Sequence, residues 1–215
     1  MTSSGRGLFI TFEGPEGSGK STQLRLLAER LRAAGHDILV TQEPGGTPVG
    51  KQIRQVLLDS RNQDLSPIAE LFLMFASRAQ NIDQRIVPAL AEGRIVLCDR
   101  FTDSTVAYQG AARGLGSEVV YELDRIACRG LVPNLTLLID VDAETGLARA
   151  ASRNTEVSSN ETRFDEYDLR FHRKVRDAFL QLATDDMGRI RSIDGARGVE
   201  EVAADVWSSV QKALS

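Results

Sequence analysis

Residues 14–21, GPEGSGKS, have the composition and spacing of a loop that holds phosphate groups. They fit the pattern G-x-x-x-x-G-K-[ST] and lie between a short apolar run and a helical pattern. Gly14 and Gly19 allow backbone angles and close approaches that a Cβ would block. Successive N–H groups can therefore surround an anion at the start of a helix. The stretch predicts a site for a nucleoside triphosphate.

The side chains of this loop have different expected roles. Lys20 supplies a cation to the β- and γ-phosphates, and the Ser21 hydroxyl is suited to Mg²⁺. Glu16 is unusual, because an acidic side chain in the middle of the loop opposes the binding of phosphate. The residues predicted to contact the donor nucleotide are Gly14, Pro15, Glu16, Gly17, Ser18, Gly19, Lys20 and Ser21.

Three arginines outside the loop could form a second anion site. Arg54 lies on the helical pattern after EPGGTPVG, Arg78 ends LFLMFASR, and Arg100 directly follows the apolar run IVLCD. An isolated arginine is more often a solvated surface charge, but these follow strand ends or occupy a largely apolar helix. Because the planar guanidinium can hold a phosphate through two N–H groups, they predict a second anion site.

Phe75 and Arg78 are three positions apart on one predicted helix and so share a face. An aromatic ring beside a guanidinium could form a platform for a planar base. The alternative is that Phe75 belongs to the core.

The elements that must position these residues alternate between strands and helices. Strand-like runs are GLFITFE, DILVTQE, RIVLCD, NLTLLIDV and RIRSIDG, and several are continuously apolar. This pattern predicts an α/β fold with a parallel five-stranded sheet of the P-loop NTPase type and helices on both faces. Ligands bind beyond the carboxyl ends of such strands, so the chemistry is expected after Glu13, Gln42, Asp99 and Asp140.

Helix boundaries have recognisable signals. Gly35, Gly93 and Gly130 each follow a helical stretch and match left-handed C-terminal caps. Ser66 and Pro67 form an N-cap with proline in the first turn of a long helix. These elements predict one domain over residues 1–215.

Residues 152–163, SRNTEVSSNETR, are polar and lack periodicity. They predict either a solvated loop or a mobile lid over the site, at about residues 150–164. A second helical pattern begins near Asp165.

Composition and charge limit which binding partners and which cellular compartment are expected. Net charge is −4 and the pI is near 5.3, which disfavours a nucleic-acid or membrane-surface partner. The N-terminus lacks the apolar core of a signal peptide, and no apolar run is long enough to span a membrane. Cys98 and Cys128 are expected to be reduced thiols in a cytoplasmic protein. His36 and His172 are expected to be solvated.

A phosphate loop alone leaves the fate of the γ-phosphate open. A switch or motor protein hydrolyses the nucleotide, whereas a kinase passes the phosphoryl group to a second molecule. The sequence has no guanine-reading N-K-x-D, and its length leaves little room for motor domains. The arginines favour the kinase.

Four segments resemble the thymidylate kinase family, its bacterial branch in particular: FEGPEGSGKST, EPGGTPVG, LFLMFASR and LCDRFTDSTVAYQGAARGLG. The resemblance implies ATP- and Mg²⁺-dependent phosphorylation of dTMP to dTDP in dTTP biosynthesis, by a homodimer. The alternatives are another P-loop nucleoside monophosphate kinase or a nucleotide-hydrolysing switch protein.

The resemblance also implies roles for residues on the acceptor side. Phe75 would stack on thymine, and Arg78, Thr105 and Gln109 would complete recognition of the base. Arg54 and Arg100 would hold the acceptor phosphate. Tyr108 would crowd the sugar 2′ position and favour deoxyribose.

Catalytic roles follow from the same resemblance. Glu16 would help to place the acceptor and the metal, beside Lys20 and Arg100. Asp99 and Asp140 both end apolar strands and could bind Mg²⁺ with Ser21; the family pattern favours Asp99. Three arginines match the basic residues in and around the lid, and Arg153 is preferred over Arg149 and Arg163 as the catalytic one. Gln42 stands where the family usually has arginine.

Overall fold

A computed structural model describes residues 7–156 and 162–214, with residues 153–156 as backbone only. The strands are β1 (Leu8–Glu13), β2 (Ile38–Gln42), β3 (Ile95–Asp99), β4 (Leu135–Asp140) and β5 (Ile190–Asp194). The helices are α1 (Lys20–Ala33), α2 (Pro48–Leu58), α3 (Pro67–Asn81), α4 (Val87–Ala91), α5 (Thr102–Thr105), α6 (Ser117–Cys128), α7 (Ala143–Glu156), α8 (Leu169–Asp185) and α9 (Val199–Leu214). Two π-helical segments, Ile82–Ile86 and Val106–Ala112, extend α3 and α5.

The five strands form one parallel sheet in the order β2-β3-β1-β4-β5, which confirms the predicted fold class. The central strand β1 is buried and largely apolar because helices cover both of its faces. Ile10 and Phe12 pack with α1 and α9 in one core cluster. Phe9 packs in a second cluster with residues of α3 and α6. Because β1 and β3 pair in parallel, with Phe12 opposite Asp99, their carboxyl ends lie side by side.

The predicted helix boundaries are confirmed at several positions. Gly35, Gly93 and Gly130 have φ angles of 85°, 78° and 83°, the left-handed region that glycine enters without strain. Ser66 caps α3, since its hydroxyl accepts a hydrogen bond from the backbone N–H of Ala69 at 3.3 Å.

The lid segment differs from the prediction at its start. Residues 152–156 are helical because α7 continues to Glu156, whereas the sequence predicted a loop from residue 152. Neither glycine nor proline occurs between residues 147 and 168 to end the helix. Residues 157–161 of the predicted lid lie outside the described residues. Helix α8 begins later than residue 165, after Asp168, whose carboxylate accepts from the N–H of Phe171 at 2.8 Å.

Other predictions from composition have mixed outcomes. Cys98 and Cys128 are buried free thiols, as expected. His36 is exposed, but the prediction that His172 is solvated is wrong, because packing of α8 buries it. Within the described ranges, no helix combines the length and the apolar character needed to cross a membrane.

Candidate active site

The phosphate loop needs glycine because the backbone of neighbouring elements approaches it closely. A Cβ on Gly14, with φ at +141°, would lie 2.2 Å from the carbonyl oxygen of Ile139 on β4. A Cβ on Gly17, with φ at +66°, would lie 2.0 Å from the carbonyl oxygen of Gly146 on α7. Both contacts are shorter than atoms tolerate, so the loop keeps its N–H groups at the start of α1 only with glycine at these positions.

Lys20 folds back over the loop. Its Nζ donates to the carbonyl oxygens of Gly14 at 3.0 Å and Pro15 at 2.7 Å, and to Oγ of Ser18 at 3.2 Å. Burial, together with the nearby charge of Arg100, lowers the pKa of Lys20 to about 8. The ammonium can exchange these neutral acceptors for phosphate oxygens, which would stabilise its charge.

Ser21 and Asp99 meet beside the loop, as predicted for a metal site. The Ser21 hydroxyl donates to Oδ2 of Asp99 at 2.7 Å. Asp140 is unavailable for this role, because both of its oxygens accept from Arg176 at 2.8 Å. Among the described residues, no group of three histidine, cysteine or acidic side chains could hold a metal ion. One carboxylate and one hydroxyl suit Mg²⁺, which binds few protein oxygens and completes its shell with water and phosphate.

Glu16 is paired with Arg100, which explains the acid in the loop. The guanidinium donates to Oε1 of Glu16 at 2.8 Å and to the carbonyl oxygen of Gly14 at 3.1 Å. It also donates to the Tyr108 hydroxyl at 3.3 Å, and that hydroxyl donates to Glu16 at 3.1 Å. The three side chains form one charged cluster between the phosphate loop and the residues that follow β3.

Arg100 has a φ of +68°, which is uncommon for a residue with a Cβ. The adjoining backbone is held by Glu13, which is fully buried at the end of β1. Its oxygens accept from the N–H of Phe101 at 2.7 Å and from the Ser104 hydroxyl at 2.5 Å. Ser104 in turn accepts from Arg100 at 2.9 Å. Burial, followed by the charge of Asp103, raises the pKa of Glu13 to about 7.

Arg78 is buried and held by a second unpredicted carboxylate, that of Glu43. Nε of Arg78 donates to Glu43 at 2.8 Å, and NH2 donates to Oγ1 of Thr105 at 2.9 Å. Burial raises the pKa of Glu43, and the charge of Arg78 opposes that rise. The sequence contains one signal for Glu13 and Glu43. Each is an acidic residue at or just after the end of an apolar strand, where a loop could cover the side chain.

Most of the predicted site residues line one cavity of about 550 Å³. It reaches from the phosphate loop to α3 and the π-helical segment after α5. The predicted residues that line it are Glu16, Gly17, Ser18, Gly19, Lys20, Ser21, Arg54, Arg78, Asp99, Arg100, Thr105, Tyr108 and Gln109. Lining residues that were not predicted as site residues include Gln42, Glu43, Met74, Arg149, Phe164 and Asp165.

The predicted residues Gly14 and Pro15 do not line this cavity. Phe75 does not line it either. It is buried in the core cluster with Phe9 and Leu71. The Arg78 guanidinium lies 4.8 Å from the centre of its ring, so the two share a face as expected. Met74, the residue before it, lines the cavity instead. A direct stack of Phe75 on a base stays a prediction.

The arginines associated with the lid differ from one another. Arg149 lines the cavity and donates to the carbonyl oxygen of Gly195 at 2.9 Å, which joins α7 to the loop after β5. Arg163 is fully buried, and its Nε donates to the carbonyl oxygen of Leu57 at 2.6 Å. The side chain of Arg153, the predicted catalytic arginine, lies outside the described residues.

Three features together define a P-loop nucleotide-binding protein of the kinase class. They are the phosphate loop between β1 and α1, the strand order, and the arginines that line the same cavity. The model of the thymidylate kinase family matches residues 12–206, and the chain belongs to this family. It is therefore a phosphotransferase, and the resemblance found in the sequence is confirmed. A switch protein has no support from these findings.

Individual relatives agree with this assignment. The thymidylate kinase of Pelobacter propionicus is 48% identical over 205 residues, which is 95% of this chain and 94% of the relative. That of Trichlorobacter lovleyi is 49% identical over 209 residues, 97% and 99% of the two chains. The crystal structure of thymidylate kinase from Ehrlichia chaffeensis matches with a TM-score of 0.77 at 32% identity, covering 96% of this chain and 99% of that one.

Proposed function

We propose that the protein transfers the γ-phosphoryl group of ATP to dTMP, giving ADP and dTDP for dTTP biosynthesis. The observation that carries this proposal is the single cavity in which the phosphate loop faces Arg54, Arg78 and Arg100. Donor and acceptor anions bound there would lie close together. The strands of one sheet come from residues 8–194, and the last helix ends at Leu214. This continuity supports one kinase domain over residues 1–215.

The donor would be held by the loop and by Lys20. Backbone N–H groups at the start of α1 would bind its phosphates, and Lys20 would leave the carbonyls of Gly14 and Pro15 to contact them. Arg149, which lines the same cavity, would contact the nucleotide beside the loop after β5.

The acceptor phosphate would be placed by Arg54 and Arg100. Arg54 donates to the carbonyl oxygen of Pro44 at 3.1 Å and lines the cavity. Arg100 would exchange part of its contact with Glu16 for a contact with the incoming phosphate. Glu16 would thereby help to orient the Arg100 guanidinium. The acceptor phosphate is an ionised nucleophile, and positioning and charge stabilisation therefore supply most of the rate enhancement.

The base and the sugar would bind at the other end. Arg78, Thr105 and Gln109 offer polar groups to the base, and Phe75 supports Arg78 from behind or stacks after a rearrangement. Tyr108, packed among the rings of Phe164 and Phe171, would leave little room for a 2′-hydroxyl.

Ser21 and Asp99 would hold Mg²⁺. When bound there, Mg²⁺ would neutralise part of the charge on the donor phosphates. The lid over residues 150–164, with Arg153 as its catalytic arginine, remains part of the proposal. Arg153 would approach the transferring group and stabilise its charge, while the lid excludes water.

Assembly as a homodimer is supported by an apolar surface on α2 and α3. Val49 and Val56 are exposed on α2, seven residues apart. Ile68 and Phe72 are exposed on α3, four residues apart, and Phe72 is 55% exposed. Exposed apolar side chains clustered on neighbouring helices are typical of subunit contacts. A cytoplasmic location without nucleic-acid or membrane partners is consistent with the net charge of −4.

A coupled assay with Mg-ATP and a panel of nucleoside monophosphates tests the function. We expect the highest kcat/KM for dTMP. A higher value for another monophosphate would assign a different nucleoside monophosphate kinase. ATP hydrolysis at an equal rate without any acceptor would instead favour a switch protein.

A further inference from the structure

Glu70, in the first turn of α3, is a fully buried carboxylate without a role in the proposed phosphoryl transfer. Buried acids require partners, and its two oxygens have different ones. Oε1 accepts from the Gln109 side-chain amide at 2.8 Å. Oε2 accepts from Arg163 at 2.6 Å, and a guanidinium nitrogen of Arg113 lies 3.4 Å away. The carboxylate thus joins the base end of the cavity to Arg163, at the C-terminal end of the predicted lid segment.

Arg163 holds this carboxylate in place. The arginine is itself fully buried, and its Nε donates to the carbonyl oxygen of Leu57 at 2.6 Å. Its backbone N–H donates to the carbonyl oxygen of Leu58 at 3.1 Å. A guanidinium has only donors, so whatever group faces it from position 70 must accept.

These contacts determine how the Gln109 amide is oriented. A carboxylate paired with two guanidinium groups only accepts hydrogen bonds, so the NH₂ of Gln109 must face Glu70. The carbonyl oxygen Oε1 of Gln109 is thereby turned away from Glu70. Gln109 is buried in the cavity wall, and no described residue donates a hydrogen bond to its Oε1. An acceptor is left for a ligand in the cavity.

Such an acceptor distinguishes pyrimidines by their hydrogen-bonding pattern. Thymine has an N3–H donor, whereas cytosine has a lone pair on N3 and an amino group beside it. We propose that Glu70 is a positioning residue that sets base specificity, because it keeps Oε1 of Gln109 available for N3–H of a keto pyrimidine. This inference rests on the proposed function, in which Gln109 contacts the base of dTMP.

The Glu70→Gln variant tests the inference because its outcome has a definite direction. The new amide must turn its oxygen to Arg163 and its NH₂ to Gln109. Gln109 then has to accept, and its own NH₂ turns into the cavity, where it suits N3 of cytosine. We expect the ratio of kcat/KM for dTMP to that for dCMP to fall about tenfold or more, with KM for ATP unchanged. An equal loss for both monophosphates would show a structural role and overturn the inference.

Arg113→Met is the matched control, because it removes a charge partner of Glu70 without touching the Gln109 amide; the ratio should stay unchanged. If Glu70→Gln alone fails to fold, the double variant with Arg113→Met carries the same measurement, because it leaves only the Arg163 guanidinium facing the new amide. Gln109→Leu distinguishes a failure of the proposed base contact from a failure of the inference about Glu70. If it leaves KM for dTMP unchanged, the proposed base contact is wrong; if it raises that KM while Glu70→Gln leaves the ratio intact, the inference about Glu70 alone is wrong.

Discussion

Glu16 and Arg100 form an ion pair at the edge of the phosphate loop. An acid in a phosphate loop would repel the donor if it had no partner. Here Arg100 and Tyr108 both donate to its oxygen, so the acid holds an arginine beside the loop, where the proposed function places the acceptor phosphate. Glu13 holds the backbone of the same segment through Phe101 and Ser104.

Glu13 predicts a pH dependence of stability. Below about pH 4.5 the carboxyl is protonated in the folded and the unfolded chain, and it contributes no difference. Between about pH 4.5 and 7 the unfolded chain ionises first, because burial raises the folded pKa to about 7. The stability contribution of Glu13 therefore falls as pH rises, by up to about 3 kcal/mol above pH 7.

Glu13→Gln removes this titration and keeps an acceptor for the N–H of Phe101. Relative to the unmodified chain, its free energy of unfolding in urea should rise between pH 5 and pH 8. Glu29→Gln, on the exposed surface of α1, is the control and should show little change. If the difference in unfolding free energy between Glu13→Gln and the unmodified chain stays constant across this range, the raised pKa of the buried Glu13 carboxyl is contradicted.

Phe75→Leu tests whether the ring serves the base or only the core. Leucine preserves most of the buried volume, so the destabilisation should stay near 1 kcal/mol. If the ring supports or stacks on thymine, KM for dTMP should rise about tenfold while KM for ATP stays constant. Steady-state kinetics with each substrate varied in turn measures this. Unchanged constants would assign Phe75 to the core.

At the scale of elements, the apolar strands and helix caps could be predicted because each depends on local sequence. The end of α7 could not, since a polar segment without glycine or proline is compatible with both helix and loop. Glu13, Glu43 and Glu70 were missed as buried groups for a different reason. An acidic residue is normally exposed, and these are buried only because Phe101, Arg78 and Arg163 arrive from distant parts of the chain.

The lid is the element on which turnover should depend most. Arg153→Ala should reduce kcat about 10³-fold if this arginine stabilises the transferring phosphoryl group, with ATP affinity largely retained. Arg173→Ala, an exposed arginine on α8 paired with Glu144, is a control for loss of surface charge. Single-turnover rates and ATP titrations measure the two quantities. Loss of ATP binding with normal turnover would contradict the role of Arg153.

For the whole molecule, the apolar surface of α2 and α3 predicts that two copies of the chain associate through these helices. Phe72→Glu places a charge in this surface and should convert a dimer to a monomer in sedimentation velocity. Met187→Glu is the matched control, because Met187 is 70% exposed and lies before β5, away from that surface. A Phe72→Glu protein that remains dimeric would place the subunit contact elsewhere.

Under the proposed function, donor and acceptor meet in one cavity and the phosphoryl group passes directly between them. The most direct measurement follows the labelled γ-phosphate of ATP with and without dTMP, in the unmodified chain and in Arg100→Met. We expect label in dTDP, little label in inorganic phosphate, and strongly reduced transfer in the variant. Label that appears in inorganic phosphate at the same rate with and without dTMP would contradict it.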